Sequence, residues 1–136
     1  MWCGTEIREI QPEEVAEVAT FTNLVQAGQP GLIRLVAILN GGVVGYVEMA
    51  TTFFHQPFIG LLRVRPEHCR QGIATALMKA MEAKCQGEKL FTSTNDSNSA
   101  MQAFLAKLGY RRCGSVEELD EGDPELIFFK CLRRSS

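Results

Sequence analysis

The chain has 136 residues, of which 46% are hydrophobic and 22% are charged, and its formal net charge is −2. This length predicts one domain over residues 1–136, and the hydrophobic fraction excludes a disordered protein. The near-neutral charge predicts that the protein does not bind nucleic acid. The lack of any apolar run of ~18–20 residues predicts that it does not span a membrane.

The first half of the chain predicts a strand, a helix and then three strands. The helix covers residues 11–26, with Pro12 in its first turn and Gly28 just beyond its end. Asn40-Gly41 between β-rich runs is a strong hairpin signal, and a second turn is predicted at residues 55–57. The predicted strands are residues 5–10, 32–39, 43–54 and 58–65.

The second half predicts two amphipathic helices and three more strands. Apolar residues recur at helical spacing in both helices, and Gly109 is placed to end the second one. The two stripes are Ile73, Ala76, Leu77, Ala80 and Met81, then Met101, Phe104, Leu105 and Leu108. The remaining strands are residues 89–94, 110–119 and 125–132. The order β-α-β-β-β-α-β-α-β-β predicts an α/β fold, a mixed sheet with helices on its faces.

The turn at residues 66–75 is a candidate anion site. A helix N-terminus carries unpaired N–H groups and a partial positive charge. Gly72 would let an anion approach the backbone closely, and Arg70 adds a formal charge. The alternative is a plain strand-to-helix turn. The stretch has neither the Gly-Lys-Ser/Thr of a P-loop nor three fingerprint glycines, so the phosphorylated ligand would be of another kind.

Two segments resemble conserved motifs of the GNAT superfamily of N-acetyltransferases. LRVRPEHCRQGIATALM, residues 62–78, resembles its acyl-CoA-binding motif, and NSAMQAFLAKLGY, residues 98–110, resembles a second motif. The predicted element order agrees with the GNAT fold as well. The resemblance implies a mostly antiparallel sheet of six or seven strands, flanked by helices and splayed between the fourth and fifth strands. It also implies acetyl transfer from acetyl-CoA to a primary amine in a ternary complex.

The resemblance names acetyl-CoA as the cosubstrate, with no metal, and assigns residues to it. The backbone at Leu62 and Val64 would bond the pantetheine arm like an added strand, and Asn98 would reach the same arm. The pyrophosphate would lie on the backbone amides of Arg70, Gln71, Gly72, Ile73, Ala74 and Thr75.

The sequence departs from the family pattern at two positions. Cys69 replaces the first Arg or Gln of the phosphate turn. Leu105 replaces a tyrosine that protonates the departing thiolate in many family members. Because a thiol has a pKa near ~8.5, losing this acid slows transfer without abolishing it. Tyr110, Ser97 or water could take over the role.

The general base is a separate question, since the strand FIGLLRV, residues 58–64, contains no acid. The remaining candidates are Glu48, on the strand that precedes this one, and His55, in the turn between the two strands. By alternation Glu48 shares a face with Tyr46 and Ala50. The alternatives are a solvated strand glutamate and an exposed turn histidine.

The acceptor is predicted to be an amine, with an acidic loop that favours a cationic one by electrostatic steering. A solvated hairpin is the alternative explanation of this loop. Its acids are Glu117, Glu118, Asp120, Glu121, Asp123 and Glu125. A sensor that binds acyl-CoA without turnover is the alternative function, and the monomer and the homodimer both remain open.

The five cysteines are scattered, with none paired at metal-ligand spacing. Their odd number and the absence of a signal-like N-terminus predict reduced thiols and a cytoplasmic location.

Overall fold

The computed structural model of the chain describes residues 4–23 and 29–132. Its elements follow the predicted order, with short 3-10 turns before α1 and α2. The strands are β1 (Glu6–Glu9), β2 (Ile33–Leu39), β3 (Gly42–Phe53), β4 (Gln56–Val64), β5 (Lys89–Asn95), β6 (Arg111–Val116) and β7 (Glu125–Cys131). The helices are α1 (Val15–Val18), α2 (Ile73–Lys84) and α3 (Ser99–Lys107). Within the described ranges, no helix is long and apolar enough to cross a membrane.

All seven strands form one sheet in the order β1-β2-β3-β4-β5-β7-β6. Every neighbouring pair is antiparallel except β4 and β5, which are parallel. This confirms the predicted mixed, mostly antiparallel sheet. The last strand, β7, is inserted between β5 and β6, which explains why its sequence is so apolar.

The hydrophobic core lies on both faces of the sheet. The larger part packs α2 and α3 against the strands through buried residues such as Leu77, Met81, Leu105, Val47 and Leu126. The smaller part packs α1 against β2 and β3 on the opposite face. Its members are Val18, Val36, Ile38, Val43 and Tyr46. The helical stripes predicted from the sequence therefore do face the core.

Strand β4 contains the irregularity that matters most for the site. Glu48 pairs with Leu61 and Met49 pairs with Ile59, so Gly60 is an extra residue in β4, a β-bulge. On its other edge β4 pairs with β5 only at Phe58 and Ile59. From Gly60 onward the two strands separate, as the resemblance to the GNAT fold implied.

The first helix is shorter than predicted. It ends at Val18, whereas the sequence pattern predicted a helix as far as residue 26. The Thr20 hydroxyl donates to the Glu17 carbonyl at 2.6 Å, a side-chain bond that competes with helix propagation. The predicted helix end at Gly28 lies outside the described residues.

The turn predicted at residues 55–57 is also displaced. Phe54 and His55 form it, with φ angles of 51° and 64°, and β4 already begins at Gln56. Pro57 is tolerated inside the strand because it stands at an irregularity in the β3–β4 register. The predicted Asn40-Gly41 turn is confirmed, with positive φ at both residues.

Candidate functional site

A cavity of about 470 Å³ opens where the second half of β4, the turn into α2 and the start of α3 meet. The turn supplies mostly backbone and small side chains, and α3 supplies an apolar wall. The cavity is lined by Leu62, Arg63, Val64, His68, Cys69, Arg70, Gly72, Ile73, Ala74, Thr75, Ala100, Met101 and Phe104.

The shape of this turn follows from two left-handed residues, Arg70 at φ 68° and Gly72 at φ 80°. Gly72 is the N-cap of α2, and its carbonyl accepts the first helical hydrogen bond, from Ala76 N–H at 3.1 Å. The N–H groups of the first helical turn after Gly72 therefore have no helical acceptor and are available to a ligand. The helix adds its dipole to the same point.

Helix α2 is held close to the sheet at Gly45 on β3. A Cβ atom at Gly45 would lie 2.9 Å from Leu77 Cδ1 and 3.1 Å from Ile73 Cγ2. A larger residue at this position would press on both side chains, so Gly45 allows the N-terminal part of α2 to lie close to the sheet.

A second cavity, of about 280 Å³, fills the gap between β4 and β5. Leu62, Arg63 and Met101 line both cavities, so the two are adjacent. Asn98 also lines the second cavity, and its Oδ1 caps α3 by accepting from Met101 N–H at 3.1 Å. On the β7 side, Glu125 accepts a 2.6 Å hydrogen bond from Ser93 Oγ.

The residues predicted to bind the cofactor largely come together here. The first cavity takes in Leu62, Val64, Arg70, Gly72, Ile73, Ala74 and Thr75, and Asn98 lines the second. Gln71 lines neither, and its Oε1 lies 3.3 Å from His68 Nδ1. Cys69 lines the first cavity, with its Sγ 3.6 Å from the Arg65 carbonyl oxygen.

Glu48 lies beside the second cavity rather than in its wall. Its side chain is 3% exposed, and the Tyr46 hydroxyl donates to Oε1 at 2.7 Å. Burial and the neighbouring carboxylate raise the pKa of Tyr46, so that its hydroxyl stays protonated and acts as a donor. The shared face predicted for these two residues is therefore confirmed as a direct contact.

The other two catalytic candidates lie apart from both cavities. His55 is exposed in the β3–β4 turn, about 16 Å along an extended strand from Gly60. The Tyr110 hydroxyl donates to Glu82 Oε2 at 2.7 Å, and Lys130 also binds that carboxylate. Burial, reinforced by Glu82, raises the pKa of Tyr110. Its hydroxyl thus ties α2 to the end of α3.

Leu105, at the position of the family tyrosine, is fully buried in the larger core. Ser97, one of the groups predicted to take over the role of that tyrosine, has its hydroxyl engaged in another hydrogen bond. Its hydroxyl donates to Asp123 Oδ2 at 2.6 Å.

Sequence reasoning missed several residues around the gap. Gly60 could have been found, because an isolated glycine inside a strand pattern indicates a bulge. Arg63, which lines both cavities, carried no such signal, and Glu125 was recognised only as one of the acids of the loop. Met101 and Phe104 were recognised only as core residues, although they also form the apolar wall of the first cavity.

Apart from Glu125, which lines the gap, the acids of the loop fall into two groups. Asp120 accepts from Asn95 Nδ2 at 2.8 Å, and Asp123 accepts from Ser97 N–H at 2.9 Å. These two acids hold the loop against the segment before α3. Glu117, Glu118 and Glu121 are exposed. Throughout residues 4–23 and 29–132, no cluster of His, Cys, Asp or Glu could hold a metal ion.

A splayed mixed sheet with a backbone-lined turn at the start of a helix defines the class of protein. The chain matches the Acetyltransferase (GNAT) family over residues 4–110. It therefore belongs to the GNAT acetyltransferase family, as the two motifs implied. No curated protein sequence matches the chain.

Solved structures share the fold over nearly the whole chain. A GNAT-family acetyltransferase from Bacillus cereus is 27% identical, with a TM-score of 0.82 over 96% of this chain and 99% of that one. An N-acetyltransferase from Staphylococcus aureus is 16% identical, with a TM-score of 0.78 over 96% and 99%. A protein from Bacillus anthracis in complex with acetyl coenzyme A is 13% identical, with a TM-score of 0.81 over 94% and 98%.

Proposed function

We propose that the protein is an N-acetyltransferase that moves an acetyl group from acetyl-CoA to a primary amine by direct attack. The observation that carries this proposal is the pair of adjacent cavities. One is lined by a phosphate-type turn, and the other opens between β4 and β5 beside a buried carboxylate. Membership of the family and the acetyl coenzyme A bound to the Bacillus anthracis protein support the cosubstrate.

In this proposal acetyl-CoA occupies both cavities. Its pyrophosphate binds the N–H groups at the start of α2, and its pantetheine arm bonds the edge of β4 at Leu62 and Val64. Beyond Ile59 that edge forms no strand pairs with β5, so its backbone N–H and C=O groups can form hydrogen bonds with an added strand. Asn98 bonds the same arm from the start of α3.

The chemistry needs a base, because a lysine-like amine with a pKa near ~10.4 is protonated at neutral pH. Glu48 takes one proton from the ammonium group, directly or through one water. The freed lone pair forms the C–N bond to the acetyl carbon, and the C–S bond breaks. The thiolate takes up the second amine proton, delivered through water, since Leu105 supplies no hydroxyl.

The acceptor in this proposal is a small-molecule or peptide amine, and a cationic one is favoured. Glu125 at the gap and the exposed Glu117, Glu118 and Glu121 create negative potential on the β7 side. Such a potential raises the local concentration of a cationic substrate.

A second candidate function is a sensor that binds acyl-CoA without turnover. The full burial of Leu105 and the engagement of the Tyr110 hydroxyl with Glu82 favour it, because both positions then lack a free acid.

Calorimetry with acetyl-CoA, followed by a thiol-release assay with a panel of amines, separates these functions. Binding together with thiol release on at least one amine is the expected result. Binding without release on any amine would support the sensor. Absence of binding would contradict both functions.

A further inference from the structure

The carboxylate of Glu48 is fixed at one of its two oxygens. Oε1 accepts the 2.7 Å hydrogen bond from Tyr46, whose ring is fully buried against α1 in the smaller core. Within the described part of the chain the structure shows one donor to this buried carboxylate, and that hydrogen bond favours one rotamer, in which the second oxygen has a defined direction.

The second oxygen, Oε2, points towards Gly60. A Cβ atom built on Gly60 would lie 3.8 Å from Glu48 Oε2, and, apart from Gly60 and its two chain neighbours, no other heavy atom of the described residues lies within 4 Å of it. Gly60 also lines the cavity between β4 and β5. The volume that the side chain of another residue would fill thus borders Oε2, at a residue that lines the cavity. We name this volume the Gly60 opening.

The charged groups around Glu48 come from the two neighbouring strands. On β2, Arg34 is the register partner of Glu48. On β4, Arg63 is the register partner of Tyr46 and also lines the cavity. From α1 the contact is apolar, through Val18. Register partners lie on the same face of a sheet, so Arg34 and Arg63 both stand on the face that carries Tyr46 and Glu48.

We propose that Tyr46 and Gly60 are positioning residues for Glu48 in acetyl transfer. Tyr46 holds Oε1, and the Gly60 opening leaves Oε2 in reach of the acceptor amine or of a water bound to it. This inference rests on the proposed function and names the two features that make a buried glutamate usable as its base.

Closing the Gly60 opening tests the first half of the inference. Gly60→Val fills it, and Gly114→Val is the matched control, since Gly114 also lies in a strand and has no neighbour within 4 Å of an added Cβ. We expect Gly60→Val to lower kcat about 100-fold, the scale of a lost general base, while Gly114→Val keeps kcat. Because Gly60 lines a cavity that acetyl-CoA occupies in the proposed function, kcat is measured at saturating acetyl-CoA, and urea denaturation verifies that both variants fold.

Removing the tyrosine hydroxyl tests the second half. Tyr46→Phe keeps the ring and the packing and removes only the donor to Oε1. Without that donor the carboxylate holds its proton more tightly, so the acidic limb of kcat/KM should move up by about one pH unit. Activity at neutral pH should fall about tenfold. Glu48→Gln should lower kcat about 100-fold and abolish the acidic limb of the pH profile of kcat/KM.

The outcomes separate this inference from the proposed function. An active wild type whose Gly60→Val and Tyr46→Phe variants keep its kcat and its pH profile overturns the inference and leaves the proposed function intact. A wild type that turns over no amine overturns both. An unmoved pH limb in Tyr46→Phe, even with lower activity, assigns Tyr46 a structural role and overturns its positioning role.

Discussion

The two edges of β4 behave in opposite ways. Towards β3 the strand is paired along nearly its whole length, from Gln56 to Val64. Towards β5 it makes only two pairs and then diverges at Gly60. The paired edge holds the strand in place while the other edge keeps its backbone groups open for a ligand. A sheet can thus contain a binding site in its middle without losing its continuity.

The two sides of the resulting gap are also built differently. On the α2 side the groups that could bind a ligand are backbone N–H groups and small side chains, and they come from consecutive residues of the chain. On the opposite face the candidate groups are side chains from separate strands, Glu48 on β3, Arg63 on β4 and Glu125 on β7. The first arrangement tolerates many sequences as long as the backbone keeps its shape, whereas the second depends on individual side chains.

The largest expected effect is on the backbone-built side. Gly72→Val should raise the acetyl-CoA Kd about 100-fold, because a branched side chain at the N-cap blocks close approach to the amides and strains a left-handed residue. Gly41→Val is the control, since Gly41 has a nearly equal φ of 81° and no neighbour within 4 Å of an added Cβ. Equal acetyl-CoA affinity in the two variants, measured by calorimetry, would contradict the phosphate role of the turn.

A smaller effect is expected where the paired edge supports α2. Gly45→Ala places a methyl group 2.9 Å from Leu77 Cδ1 and should lower the free energy of unfolding by about 2 kcal/mol. Urea denaturation measures this change. Gly114→Ala, in an open part of β6, should stay within about 0.5 kcal/mol of wild type. If both variants unfold at the same urea concentration, close packing at Gly45 does not position α2.

Tyr110 and Tyr46 are two buried tyrosines that each donate to a carboxylate, and replacing each of them by phenylalanine should have a different effect. Tyr110→Phe should lower the free energy of unfolding by about 1 kcal/mol, because Glu82 loses a donor. Its kcat should stay within about twofold of wild type, since the hydroxyl faces away from both cavities. A large fall in kcat without a change in stability would instead identify Tyr110 as the missing acid.

The smallest effect is expected from the exposed acids of the loop before β7. Replacing Glu118 and Glu121 by glutamine should raise the KM for a cationic amine about two- to threefold at low salt, and the effect should vanish at high salt. The control replaces Glu6 and Glu13, near the opposite edge of the sheet, by glutamine. The same rise in KM in the control would mean that net charge, rather than this loop, attracts the substrate.

Much of the fold could be predicted from local signals. The apolar stripes of α2 and α3 and the Asn40-Gly41 turn depend on neighbouring residues, and all are confirmed. The length of α1 was wrong, because Thr20 competes for a helical carbonyl with its hydroxyl. The position of the second hairpin turn was also wrong, since Phe54 and His55 adopt left-handed conformations that the sequence pattern does not favour.

The candidate site was predictable on one side only. The turn proposed to bind phosphate is a continuous motif, and its left-handed Gly72 can be recognised in the sequence because few other residues adopt that conformation. That Tyr46 and Glu48 share a face followed from alternation within one strand, whereas their hydrogen bond appeared only in the structure. That Glu48 lies against Gly60, and that Tyr110 turns to Glu82, depends on residues far apart in the chain.

By itself the sequence determined the order of the strands and helices, the GNAT family and the turn that is proposed to bind a phosphate, since each is written in consecutive residues. The resemblance implied that β4 and β5 splay apart, but only the tertiary structure decided that the separation begins after Ile59, that β7 lies between β5 and β6, and that a buried carboxylate lies behind a glycine bulge. These features arise from register and packing between distant segments, and no local pattern encodes them.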